Sequence, residues 1–250
     1  MVAAIIQARM TSTRLPAKVM KKVKERPLLG YLIERLRFCR RIDKIILATT
    51  ANKEDDLIVS FAREENLPFY RGSEDDVLDR YYQTAKTFNI DHIVRITSDC
   101  PLIDPRICDH VVKVYFESNV DFVRTGPTFA EGVDCEVLSF KALEKAWNEA
   151  SLKSEREHVT LYIRNHPQLF EMITLKNETD DSKYRFTVDV WEDFLVVKII
   201  LEELYKESSK IFAIDEIKKF LDSNPDVFRL NAKVVRNEGL IKSLKENLLC

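Results

Sequence analysis

Apolar runs and amphipathic stretches alternate along most of this chain, and that alternation sets the expected order of elements. Residues 2 to 7, VAAIIQ, read as a buried strand. From Pro27 to Arg37 the residues Leu28, Leu29, Leu32, Ile33 and Leu36 share one helical face, and Pro27 suits a first helical turn. DKIILATT at 43 to 50 is the next strand, and Leu57, Ile58 and Phe61 mark a helix from about 54 to 65. A short strand near Phe69 leads to a helix carrying Val77, Tyr81, Ala85 and Phe88. HIVRIT at 92 to 97 is a strand, and Asp104 before Pro105 caps a helix running to about Ser118. Buried strands separated by helices predict an α/β fold in three layers, a mainly parallel sheet covered on both faces.

Between about 121 and 188 the rhythm changes. DFVRT, CEVLSF, FEMITL and YRFTV read as shorter strands around helices at about 140 to 150 and 155 to 165, an insertion packed on the sheet edge. An amphipathic helix follows, and two further helical stretches, about 214 to 223 and 238 to 248, close the chain. No repeat, low-complexity stretch or clean linker appears, so residues 1–250 read as one domain with a small inserted subdomain at about 121–188.

Composition narrows the partners. The chain is 45% apolar and can bury a large core, while 39 Lys and Arg against 41 Asp and Glu give a net charge of -2. That balance gives no general attraction to nucleic acid or anionic membrane. Cys39, Cys100, Cys108, Cys135 and Cys250 are widely spaced and form no metal-binding or CxxC pattern, which fits reduced thiols. No apolar run is long enough for a secretory leader or a membrane span, so the expected location is cytoplasmic.

In a parallel α/β sheet, ligands sit beyond the carboxyl ends of the strands. Three such ends carry polar clusters. After the first strand, Arg9, Arg14 and Lys18 surround Thr11, Ser12 and Thr13, a set of forked and point-charge donors suited to a triphosphate; any one cation alone reads first as a solvated turn, and the three together favour phosphate. In ITSDCPLIDP, Asp99 ends an apolar strand and suits Mg²⁺, with a turn-forming Ser-Asp pair as the alternative. In TVDVWED, Asp189 reads as a second Mg²⁺ carboxylate facing Asp99, as a helix cap with Glu192 three residues on, or as both at once.

These stretches carry a resemblance. IIQARMTSTRLPAKVM looks like the opening signature of the sugar cytidylyltransferases, the group containing the 3-deoxy-manno-octulosonate and acylneuraminate enzymes, whose pattern is close to ARxxSxRLPxK. RPLLGYLIERL, GSEDDVLDRYY, VRITSDCPLIDP, EREHVTLYI and RFTVDVWED most resemble the branch of spore-coat polysaccharide cytidylyltransferase-like proteins, so the resemblance covers nearly the whole chain. It implies a nucleotide-diphospho-sugar transferase fold related to the GT-A glycosyltransferases, often dimeric through the inserted subdomain. It also implies cytidylyl transfer from CTP with Mg²⁺ to a sugar, a sugar acid or its phosphate. Ala8, Arg9, Ser12, Arg14, Lys18, Asp79, Arg80 and Thr97 fall on nucleotide-binding positions, Asp99 and Asp189 on metal-binding ones, and Arg9, Arg14, Lys18 and Asp99 carry the chemistry. Relatives often have Gly where this chain has Thr11 and Ala17, implying a loop less permissive in backbone angle, and Thr97-Ser98 replaces the Gln-Gly of the octulosonate enzymes.

For the acceptor, a sugar-acid carboxylate calls for a cation, and Arg124, Arg156, Lys183 and Arg185 are candidates with surface salt bridging as the plainer role. His158 in EREHVT and the alternating Asp134 and Glu136 are further acceptor-site candidates, against a satisfied helix histidine and an edge-strand charge pair. His92, His110 and His166 read as structural or exposed. Two other classes stay open: a glycosyltransferase, although TSDCPLID lacks an Asp-x-Asp motif, and a non-catalytic nucleotide-binding module.

Overall fold

The computed structural model describes residues 1–206 and 211–247. Strand β1 (Val2–Gln7) leads through the cationic loop to a small hairpin, β2 (Lys22–Val23) and β3 (Arg26–Pro27), then to helix α1 (Leu28–Leu36). Strand β4 (Lys44–Thr50), α2 (Asp56–Glu64), β5 (Phe69–Gly72), α3 (Val77–Thr87), β6 (His92–Thr97) and α4 (Pro105–Ser118) follow the periodicity of the sequence. Next come β7 (Phe122–Thr125), β8 (Glu136–Ser139), α5 (Phe140–Glu149), α6 (Lys153–Glu157), α7 (Leu161–Asn165) and β9 (Met172–Leu175). Helices α8 (Trp191–Leu204), α9 (Ile214–Ser223), α10 (Pro225–Arg229) and α11 (Glu238–Asn247) complete the described chain.

Seven strands form one sheet in the order β5-β4-β1-β6-β8-β7-β9, in which β8 alone runs antiparallel to its neighbours. β1 pairs with β4 and β6, and its side chains divide between two cores. Ala4 and Ile6 pack with α1, α2 and α4, while Ala3 and Ile5 pack with α3, α5 and α7. All four are fully buried, which explains why the strand shows no polar alternation. A third apolar cluster joins α8 and α9 to Leu15, Leu28, Tyr31 and Phe186, and so holds the C-terminal helices beside the site loops.

Helix ends follow local chemistry. Asp104 caps α4 as expected, accepting from the Arg106 amide at 2.9 Å, and it also accepts from the Ile214 amide at 3.0 Å. Asn66, Asn89 and Asn119 follow α2, α3 and α4 in the left-handed conformation that asparagine tolerates. The four cysteines in the described residues are unpaired and buried, and Cys250 lies outside those residues. Among the described residues, no helix is long and apolar enough to cross a membrane.

Some expectations change. Residues 121–188 extend the sheet itself, because β8 joins β6 and carries β7 and β9 with it. Among the described residues, YRFTV makes one bridge, Glu131 to Arg185, and joins neither sheet. Tyr184, Phe186 and Val188 are buried in the third cluster, and the Phe186 and Val188 amides donate to the Glu131 and Asp99 carbonyls. The single helix expected at 155 to 165 is two, broken at His158 to Thr160, and the break frees the Thr160 hydroxyl to reach Glu136. The hairpin β2–β3 lacked a sequence signal, since Lys24 and Glu25 hold its left-handed turn without glycine.

Candidate active site

The carboxyl ends of β1 and β6, the segment 187 to 189 and helix α11 enclose two connected compartments of about 830 Å³ and 380 Å³. Ala8, Arg9, Ser12, Arg14, Lys18 and Arg80 line the larger, and Arg124, Asp134, Glu136, Thr160 and Arg164 line the smaller. Arg14, Thr97, Asp99, His158 and Asp189 line both, which puts them at the junction.

Lys18 reaches that junction from the larger compartment. Its Nζ lies 3.0 Å from Asp99 Oδ2 and 2.8 Å from Asp189 Oδ1, so two acids far apart in sequence face one cation. Burial by itself would lower the ammonium's pKa, but Asp99 and Asp189 outweigh it and hold it above the ordinary lysine value. Burial likewise pushes Asp99 up, and Lys18 with the Thr97 hydroxyl brings it down to about 2. Arg14 Nη2 reaches Asp189 Oδ1 at 2.7 Å and its Nη1 reaches Glu238 Oε2 at 3.0 Å.

The loop that carries these cations is built by contacts the sequence did not announce. Buried Asp55 accepts from the Met10 amide at 2.7 Å and from the Thr49 hydroxyl and the Thr50 amide at 3.0 Å each, tying the turn after β4 to the loop after β1. Ala17 occupies the left-handed region at φ 56°, with its amide bonded to the Met10 carbonyl at 2.9 Å. The loop therefore takes a glycine-like conformation despite the Cβ. Arg9 pairs with Glu74 at 3.2 Å, and Thr11 also donates to Glu74.

In the smaller compartment, register does the assembly. Arg95 of β6 lies opposite Glu136 of β8, which lies opposite Arg124 of β7. Arg95 Nη1 bonds Glu136 at 2.8 Å, and Arg164 from α7 joins them. Burial pushes the Glu136 carboxyl up, but Arg95, Arg164 and Arg124 bring it below the usual value. Among the described residues, the buried Nε atoms of Arg95 and Arg164 have no hydrogen-bond partner. Burial lowers the pKa of His158, whose Nε2 lies 3.0 Å from Ser243 Oγ on α11.

Several candidates sit elsewhere. Asp79 does not line either compartment; its carboxylate accepts from Trp147 Nε1 at 2.8 Å and Gln83 Nε2 at 3.1 Å, because the helical turn that points Arg80 inward turns its neighbour aside. Arg156 is bound to Asp76, the cap of α3, and Lys183 to Asp222 at the surface. Arg185 is buried among Glu131, Asp189 and Asp193. Glu192 does not close the start of α8: Asp193 does, accepting from the Asp189 amide at 2.9 Å and the Val190 amide at 3.2 Å, and the Asp189 side chain is free to face the cleft. Of the four histidines, His92 contacts Tyr115, His166 stacks on Tyr162 and His110 is exposed. Sequence reading missed Arg95, Arg164, Asp55 and the cover supplied by α11; for Arg95 the signal was a lone cation inside an apolar strand.

This geometry agrees with what the chain is similar to. A protein from Methanocaldococcus jannaschii of uncharacterised role is 40% identical over 92% of this chain and 94% of its own length. The spore coat polysaccharide biosynthesis protein SpsF of Bacillus subtilis is 31% identical over 89% of this chain and 94% of its own. The solved structure of a cytidylyltransferase from Leptospira borgpetersenii superposes with a TM-score of 0.85 at 35% identity, covering 91% of this chain and 96% of that one. A family model described as cytidylyltransferase matches residues 3–234, and with it the chain is established as a member of the cytidylyltransferase family, enzymes that transfer a nucleotidyl group.

Proposed function

We propose that this protein transfers a cytidylyl group from CTP to a sugar, sugar acid or sugar phosphate for surface polysaccharide or glycan biosynthesis, with Mg²⁺ held by Asp99 and Asp189. The observation that carries the reading is the convergence of Lys18, Asp99, Asp189 and Arg14 where the two compartments meet. The larger compartment takes the nucleotide and the smaller the acceptor, so the α-phosphorus falls at the junction.

The donor set fits a hard divalent ion. Asp99 and Asp189 each turn a carboxylate oxygen onto one ammonium, which a metal can replace, and Mg²⁺ uses one or two carboxylates and completes its shell with phosphate oxygens and water. That economy suits a site where, among the described residues, no cluster of three or more metal-binding side chains occurs. Bound there, Mg²⁺ neutralises phosphate charge and favours deprotonation of the acceptor hydroxyl.

The residues themselves supply position and charge. The acceptor's hydroxyl or phosphate oxygen attacks the α-phosphorus, the new O–P bond forms as the bond to the bridging α,β-oxygen breaks, pyrophosphate leaves with that electron pair, and a hydroxyl acceptor gives its proton to solvent. Arg9, Arg14 and Lys18 turn from their carboxylate partners to the leaving pyrophosphate, where negative charge accumulates. Arg95, Arg124, Glu136 and His158 orient the acceptor so that its hydroxyl approaches in line. SpsF's role in spore coat polysaccharide biosynthesis supports the pathway class.

The test is to incubate the protein with each of the four nucleoside triphosphates, Mg²⁺ and a panel of sugar acids, neutral sugars and sugar phosphates, and to measure pyrophosphate. Release that needs both CTP and an acceptor is expected. No release from any pair would leave a glycosyltransferase or a nucleotide-binding module instead.

A further inference from the structure

Asp189 lies in the bend just before α8, and an isolated carboxylate there is free to turn about two side-chain bonds. Its orientation is set from behind. One oxygen, Oδ1, faces the cleft cations Lys18 and Arg14, while the other, Oδ2, receives Arg185 Nη2 at 3.1 Å.

Arg185 is in turn fixed. Its Nε and Nη2 bond the two oxygens of Asp193 at 2.8 Å and 2.9 Å, and its Nη1 bonds Glu131. Asp193 is fully buried and carries three further donors: the amides of Asp189 and Val190, and Asn231 Nδ2 at 2.9 Å. The same carboxylate thus anchors both the main chain of Asp189 and the guanidinium that holds its side chain. Glu131 is locked by its own backbone. Its amide and carbonyl pair with Tyr184 and Phe186 across a bridge next to Gly132, at φ 101°, where a Cβ would lie 2.4 Å from the Thr187 nitrogen. Only glycine allows the 130–133 turn to approach that closely.

We propose that Arg185 is a positioning residue for the nucleotidyl-transfer site, holding Asp189 by one oxygen so that the other is presented to the catalytic cation. The inference rests on the metal role of Asp189 proposed above. Arg185 itself lines neither compartment, and among the described residues its guanidinium bonds Glu131, Asp189 and Asp193. Burial works against its charge, but Asp193 and Glu131 outweigh it, and the guanidinium stays cationic. A planar five-donor group is required, because a lysine cannot satisfy three carboxylates in fixed directions at once.

A purely structural ion cluster would affect folding alone, whereas a positioning role must appear in metal affinity. The experiment uses Mn²⁺ with a CTP analogue carrying a methylene bridge between its α- and β-phosphates, and reads bound Mn²⁺ by electron paramagnetic resonance together with the Mg²⁺ concentration that half-saturates turnover. Removing a residue that orients a metal ligand typically weakens the metal ten- to a hundredfold. Arg185→Lys should do so, and in an Asp189→Asn background the same substitution should have no further effect on Mn²⁺. If Arg185→Lys gives no cooperative melting transition, Asp193→Asn, which keeps side-chain shape and removes one anchor's charge, takes its place with the same expected shift. Unchanged Mn²⁺ affinity in a folded variant, or an equal loss in the Asp189→Asn background, would overturn the proposal. If the wild-type protein itself released no pyrophosphate from CTP, the failure would belong to the nucleotidyl-transfer reading and not to Arg185.

Discussion

Replacing Lys18 with methionine separates the counter-ion role of its ammonium from the catalytic role proposed for it. The Lys18 side chain is 11% exposed and is shared by Asp99 and Asp189. Asp189 would keep Arg14 and Arg185, so only Asp99 loses its direct cation. Breaking a buried pair from one side costs about 3 to 5 kcal/mol, and retained partners on Asp189 argue for the lower end, about 3 kcal/mol. For a chain of 250 residues that corresponds to a melting temperature lower by about 6 to 12 °C. On the proposed function the same substitution also removes a transition-state contact with the departing phosphates, worth about tenfold to a thousandfold in kcat/KM. The reasoning makes a third demand. With the ammonium gone, a divalent ion meets no competitor between the two acids, so Mg²⁺ should raise the melting temperature of Lys18→Met by more than that of the wild type. Thermal melts with and without Mg²⁺, alongside pyrophosphate release, measure all three. A variant with wild-type melting and wild-type kcat/KM would show that Lys18 is neither the counter-ion of the acids nor part of the reaction.

Other outcomes follow from the same coordinates. Arg164→Gln or Arg124→Gln should raise the KM for the acceptor by tenfold or more while leaving the KM for CTP within about twofold, since both line only the smaller compartment; steady-state kinetics with each substrate varied would expose an equal effect on CTP as a contradiction. Asp99 is depressed to about 2 from 3.8, so its contribution is complete above the unfolded value and is lost as pH falls through the folded one. That loss is worth about 2 kcal/mol between pH 4 and 2, and urea midpoints across this range should fall more steeply for the wild type than for Asp99→Asn. Asp79→Asn should leave the KM for CTP unchanged despite its sequence position, because its carboxylate serves Trp147 and Gln83; a large rise would put it back at the nucleotide. Ala17→Gly should raise stability by about 1 kcal/mol by relieving a left-handed Cβ, read as a higher melting temperature.

Much of the fold was legible because its signals are local. The apolar run of β1, the helical face of α1 and the Asp104 cap each depend on residues within a few positions, and each formed as the pattern required. The same locality explains where the structure departs from the pattern. YRFTV alternates like a strand, but alternation reports which side chains are buried and not whether the backbone finds a ladder; here α8 and α9 cover the apolar face while loop carbonyls take the amides. Asp189 and Glu192 matched a cap spacing, yet Asp193 supplied the cap because its buried carboxylate also serves Arg185 and Asn231. Asp79 and Arg80 are adjacent in sequence and separated by helix geometry, about 100° around the axis, so one faces the cleft and the other does not.

By itself, then, the sequence determined a layered α/β sheet, a cationic loop at the end of its first strand, and carboxylates placed where strand ends gather ligands. Tertiary structure decided which charges meet. Lys18 reaches acids 81 and 171 residues away, and Arg95, Glu136 and Arg124 align only through the pairing of β6, β8 and β7. The reason is physical: side-chain periodicity is fixed by the local backbone, whereas partners across strands and helices depend on register, and a shift of one residue would send each of those charges to the opposite face.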